Sequence, residues 1–130
     1  MALMTIRQVK NKRFSIELGD HVVNSDMHKD AGGEDSALNP VELLMGSLGA
    51  CIGMMVQAYC RTHDLPSEGI LVNAVSTLAS DPTRIESIVV DISLPEGFPD
   101  NRREAVLRAA KTCPIHNTLE SCPEIDIDIA

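Results

Sequence analysis

The chain has 130 residues, with 11 Lys and Arg against 19 Asp and Glu, for a formal net charge of −8. That length suits one domain over residues 1–130 with one core. The acidic balance argues against a nucleic-acid partner, whose phosphates are met by clustered Lys and Arg. Arg102, Arg103, Arg108 and Lys111 make a small basic group that reads as a solvated helix face. Phe14, Tyr59 and Phe98 are the aromatic residues, so the core must be aliphatic.

The opening stretch MALMTIRQVKNKRF lacks the apolar run of a signal peptide, which makes the cytoplasm the expected compartment. Cys51, Cys60, Cys113 and Cys122 are then expected as free thiols, redox groups or metal ligands before structural disulfides. In RFSIEL, Phe14, Ile16 and Leu18 alternate with Arg13, Ser15 and Glu17, the period of a half-buried strand. Gly19-Asp20 turns the chain into HVVN, and the N-terminal third reads as three short strands. Residues 25–38, SDMHKDAGGEDSAL, are polar and without period, and form the longest expected loop.

Asn39, Pro40 and Glu42 mark a helix start as N-cap, first helical residue and capping-box partner. The helix is expected to end near Thr62-His63-Asp64. From Leu43 to Cys60 there are eighteen residues without a charge, a length that admits a membrane span. Ser47, Gln57, the glycines and the surrounding amphipathic strands predict instead the central helix of a soluble fold, without a membrane partner. Each internal glycine costs about 1 kcal/mol relative to alanine. Gly49 and Gly53 share a face with Gly46 at its margin, which predicts a partner helix close against them, from this chain or a second subunit.

GILVNAVSTLAS and RIESIVVDISL read as two strands joined at Asp81-Pro82, with Ile88, Val90, Ile92 and Leu94 on the buried face. EGFPDN ends that pattern. Asp100 is expected to cap a helix reaching Lys111, with Ala105, Val106, Ala109, Ala110 and Cys113 along its apolar face. Pro114 then starts a short helix, and EIDIDIA reads as a final strand with its isoleucines inward. The fold class is α+β. No glycine-rich phosphate loop, G-x-S-x-G elbow or H-E-x-x-H motif occurs.

Cys51 lies about 17 Å into its helix at about 1.5 Å per residue, beyond the reach of the helix dipole. From the residues alone it is either a small core hydrophobe or a nucleophile stabilised from elsewhere. Cys113 stands before a helix-starting proline, where free backbone N–H groups should lower its pKa, and His116 follows three residues on. Cys60 faces away from Cys51 on the same helix, and with Cys122 it reads as structural. Cys113 and His116 have metal-ligand spacing, but a closed zinc site would need distant segments as well.

The stretch SDMHKDAGGEDSALNPVELLMGSLGAC at 25–51, followed by CPIHNTL at 113–119, resembles the osmotically inducible protein C (OsmC) and organic hydroperoxide resistance family. The resemblance covers nearly the whole chain. It implies an OsmC-like fold, a central buried helix packed on antiparallel-rich sheets, in an intertwined homodimer with active sites at the subunit boundary. It also implies a thiol-dependent peroxidase of oxidative-stress defence acting on organic hydroperoxides. Cys51 falls on the attacking cysteine, Cys113 on the resolving cysteine, and Glu42 on a catalytic glutamate position at the helix start. An external dithiol would serve as reductant, and no metal, haem or flavin cofactor is implied.

The chain departs from the peroxidase pattern in two places. Members carry an arginine in the loop before the helix, where this loop offers His28, Lys29 and Ala31, and Val41 occupies a further glutamate position. An apolar pocket near Leu48, Met54 and Met55 is expected to favour organic peroxides over hydrogen peroxide. The alternative is a non-catalytic, dimeric small-ligand-binding protein of the same fold. A third reading is a metal site built from Cys113, His116 and Cys51.

Overall fold

The computed structural model describes residues 2–130. They divide into two compact units, the first ending at Leu44 and the second running Met45–Ala130.

In the first unit, β1 (Thr5–Lys10), β2 (Arg13–Leu18) and β3 (His21–Ser25) form an antiparallel sheet in the order β1-β2-β3. Gly19 makes the second turn at φ 57°, in the left-handed region that glycine enters without steric cost. RFSIEL forms a strand as expected, but its burial does not follow the expected alternation, since Phe14 is exposed and Ser15 is buried. Ile16 stands opposite Ile6 on one side and Val23 on the other, an apolar row across the sheet. On the other face Ser15 is buried and donates to Glu17 Oε2 at 2.6 Å, while Arg7 Nε reaches the same oxygen at 3.2 Å. These two bonds, Ser15 first, hold the Glu17 carboxyl below its ordinary pKa.

The long loop follows, with one 3₁₀ turn at Lys29–Ala31. The long helix α1 (Pro40–Thr62) starts as expected. Asn39 Oδ1 accepts from Glu42 N and Glu42 Oε1 accepts from Asn39 N, each at 2.9 Å, a reciprocal capping box.

The second unit holds α1 from Met45 onward, the antiparallel hairpin β4 (Leu71–Ala79) and β5 (Arg84–Ser93), α2 (Arg103–Ala110) and α3 (Pro114–Glu120). Leu48, Ile52, Val56 and Cys60, four residues apart, make the buried stripe of α1, and they cluster with Val106, Ala110 and Cys113. Ile88, Val90, Ile92 and Leu94 pack against that cluster, as their alternation predicts. By length and composition alone α1 could cross a bilayer; the stripe instead packs on the other elements of this unit.

A Cβ at Gly49 or Gly53 would lie 3.7 or 3.5 Å from Val72, so within this chain the glycine face meets a β4 side chain. Two expectations are corrected here. Asp100–Arg102 form a 3₁₀ turn without a side-chain cap, so α2 starts at Arg103 and ends at Ala110 rather than Lys111. EIDIDIA is not a strand, and Ile125, Ile127 and Ile129 are exposed. Period-2 patterning buries a face only where a neighbouring strand supplies hydrogen bonds, and none does so here among the described residues.

Candidate functional site

Cys113 lies at the N-cap of α3, as expected, and its side chain is fully buried. Its Sγ accepts from His116 N at 3.3 Å. Cys51, from the middle of α1, is half-buried against the same core, and its side chain is close enough to the Cys113 thiol to act on its pKa. All four cysteines are free.

The expected acidity of Cys113 is overturned. Burial pushes its pKa above the ordinary thiol value, and the Cys51 side chain pushes the same way. The N–H groups of His116 and Ile115 lower it, but by less. Desolvation of the charged form wins over two backbone donors. Cys60 is also raised, by burial alone, and lies in the core, whereas Cys122 is exposed.

A buried thiol beside a more accessible one suits sequential chemistry. The accessible sulfur can meet a substrate, and the buried one keeps its proton until an oxidised sulfur stands next to it.

Leu48, Met54 and Met55 do not share one pocket. Leu48 is 4% exposed and belongs to the core, whereas Met54 is 64% exposed and lines an open groove of about 650 Å³ with Gly46, Gly49, Ala50 and Val72. Met55 packs against the core from a half-buried position.

Sequence reasoning missed two further arrangements in this unit. Arg102 Nη1 donates to Tyr59 Oη at 3.1 Å, and the Tyr59 ring stacks on His63 with centroids 4.1 Å apart. This takes Arg102 out of the solvated face on which it was placed. His116 Nε2 lies 3.4 Å from Glu120 Oε1, one helical turn on. Among the described residues, no three His, Cys, Asp or Glu side chains are grouped to hold a metal ion.

In the first unit, the loop before α1 is built around Asp26. Its carboxylate accepts from Met27 N at 2.8 Å, Glu34 N at 3.3 Å, and Ser36 N and Oγ at 3.1 and 2.6 Å. These bonds, led by the Ser36 hydroxyl, lower its pKa to about 2. No signal in the sequence marks it, because its burial is a property of the folded loop. His28 Nδ1 lies 3.2 Å from Asp35 Oδ1, and Nε2 lies 3.2 Å from Asn39 Nδ2 and 4.0 Å from Glu42 Oε2. Asp35, then Glu42, raises the His28 pKa. Glu42 thus closes the capping box and faces His28.

Antiparallel sheets, one long helix carrying Cys51, and Cys113 at the N-cap of α3 fit an α+β protein of the OsmC and organic hydroperoxide resistance class. The family model for OsmC-like proteins matches residues 32–128, and the chain belongs to that family. Among solved structures, one similar fold is a Psychrobacter arcticus 273-4 protein assigned to osmotic stress induction and detoxification response. It is 21% identical, with a TM-score of 0.84 over 91% of this chain and 88% of that one. An OsmC-like protein from Mycoplasma pneumoniae has a TM-score of 0.80 at 16% identity, over 94% and 89%. An organic hydroperoxide resistance protein OsmC from Legionella pneumophila has a TM-score of 0.72 at 18% identity, over 93% and 90%. No curated protein matches the sequence.

Proposed function

We propose that this chain is a thiol-dependent peroxidase that reduces organic hydroperoxides, with Cys51 as the attacking and Cys113 as the resolving cysteine. The observation that carries the reading is the pairing of a half-buried free thiol with a fully buried one in a single core. The names of the Legionella pneumophila and Bacillus subtilis neighbours, both organic hydroperoxide resistance proteins, support it.

In this cycle the Cys51 thiolate attacks the nearer peroxide oxygen. The S–O bond forms, the O–O bond breaks, and the alkoxide takes a proton to leave as an alcohol. Cys113 then displaces the hydroxyl of the Cys51 sulfenic acid, giving a disulfide and water. An external dithiol restores both thiols by exchange, as the cytoplasm would allow. Glu42 enters as the acid that holds Asn39 and His28 at the start of α1.

The working form is proposed to be a homodimer. The outer hairpin face carries exposed Leu71, Val75 and Val89, and the tail carries three exposed isoleucines, apolar surface that a second copy would cover.

The test is peroxide consumption with a dithiol reductant. Cumene hydroperoxide should be consumed faster than hydrogen peroxide, and Cys51→Ser should abolish both reactions. Consumption no faster than without protein would sink the reading. It would leave the second one, a small-ligand-binding protein of the same fold, which the open groove beside Met54 favours.

A further inference from the structure

His116 Nδ1 is a buried side-chain nitrogen without a hydrogen-bond partner. Native structures seldom leave such a group unsatisfied without a reason. The His116 backbone lies beside the buried thiol, its N–H donating to Cys113 Sγ at 3.3 Å. A side chain three residues past an N-cap can reach back toward the cap.

Glu120 Oε1 lies 3.4 Å from the other ring nitrogen, Nε2, which favours a proton on that side, and in that tautomer Nδ1 carries a free lone pair. Cys113 is the group that must lose a proton in the proposed cycle. Among the described residues, the groups acting on its thiol are Cys51 from α1 and the backbone N–H groups of His116 and Ile115, with no cation to draw the proton off. The titratable groups linked to this point are Cys51, which acts on the Cys113 thiol, and Glu120, which faces His116.

We infer that His116 is the general base of the resolving step, taking the Cys113 proton at Nδ1 while Glu120 holds the ring. This rests on the two-thiol reading above. Cys113 sulfur attacks the Cys51 sulfenic sulfur, the S–S bond forms and the S–O bond breaks with its electron pair leaving on oxygen. The proton taken by Nδ1 passes to that oxygen, and water departs. Cys113 is oxidised and the sulfenic sulfur reduced, so no oxidant beyond the organic hydroperoxide is needed. A base and its proton need not touch in the resting enzyme, because catalytic hydrogen bonds commonly tighten only in the reacting complex.

The test separates the two oxidations. Reduced protein is mixed with one equivalent of cumene hydroperoxide and quenched at intervals with dimedone. Mass spectrometry then counts the Cys51 sulfenic adduct and the Cys51–Cys113 disulfide. In His116→Gln, Cys51 should oxidise at the wild-type rate, the adduct should persist, and disulfide formation at pH 7 should slow about 10²-fold, the size of a lost general base. The deficit should shrink toward alkaline pH, where Cys113 ionises unaided. Glu120→Gln, at a carboxylate exposed to solvent, should slow the same step by less and keeps the test open should His116→Gln fail to fold. Wild-type disulfide rates in the variants, or equal slowing at every pH, would overturn the assignment. Wild-type protein giving neither adduct nor disulfide would overturn the two-thiol reading, and this inference with it.

Discussion

Gly33→Ala is a severe test of the loop before α1. A Cβ at Gly33 would sit 2.0 Å from Met27 O, 2.5 Å from Met27 C and 2.8 Å from Asp26 Oδ1. Two of these neighbours are backbone atoms, so relief requires the chain itself to move. The loop is closed there by Gly33 N donating to His28 O at 3.0 Å and Asp35 N donating to Met27 O at 2.9 Å. Opening it enough for a methyl group breaks both, at about 1 kcal/mol net each, so a loss of about 2 kcal/mol is a minimum. For a chain of this size that lowers Tm by about 6–10 °C in a calorimetric scan. Gly46→Ala is the control, because no atom lies within 4 Å of its added Cβ, and helix propensity should leave that variant unharmed. Equal Tm for Gly33→Ala and wild type would refute the close approach.

The same loop should respond to acid through Asp26. A carboxyl lowered to about 2 in the folded chain stabilises it fully above the unfolded pKa, near 3.9, and the contribution disappears as pH falls through the folded value. Wild-type Tm should therefore fall between about pH 4 and pH 2, more steeply than that of Asp26→Asn. His28 has the opposite sign. Its raised pKa stabilises the loop below the unfolded value and the effect is lost as pH rises through the folded one. An NMR titration of its ring should give a midpoint above about 6.5, and a midpoint at or below that would remove the Asp35 and Glu42 contacts from the account. Light scattering should give twice the chain mass for the wild type, and Val75→Asp with Val89→Asp, on the outer hairpin face, should shift the mass toward one chain. A monomeric wild type would contradict the dimer.

What was legible in the sequence was local. The Asn39-Pro40-Glu42 capping box depends on neighbours three residues apart, and the structure forms it with both bonds. The alternation in β5 identified its inner face correctly because apolar and polar residues take turns there, whereas in β2 Ser15 is buried and Phe14 exposed. The phase of α1 was harder to read. Without a charge from Leu43 to Cys60 nothing marked its wet side, and Leu48 and Met54 were placed together although they lie on different faces.

The Cys113 pKa was misjudged for a related reason. Its two N–H donors follow from Pro114 and are visible in sequence, but its burial depends on packing by α1 and α2 and is not. EIDIDIA has a strand's period and lacks a strand's neighbour, which periodicity cannot supply. Asp26 gave no local pattern, because its partners lie eight and ten residues on, across a turn.

The central claim is that Cys51 and Cys113 are one redox pair. Its most direct test is peptide mapping of the fully reduced protein after one equivalent of cumene hydroperoxide. The account predicts a Cys51–Cys113 disulfide in the wild type, none in Cys51→Ser, and a Cys51 sulfenic acid that persists in Cys113→Ser. Both thiols unmodified in the wild type, with the peroxide still present, would contradict it.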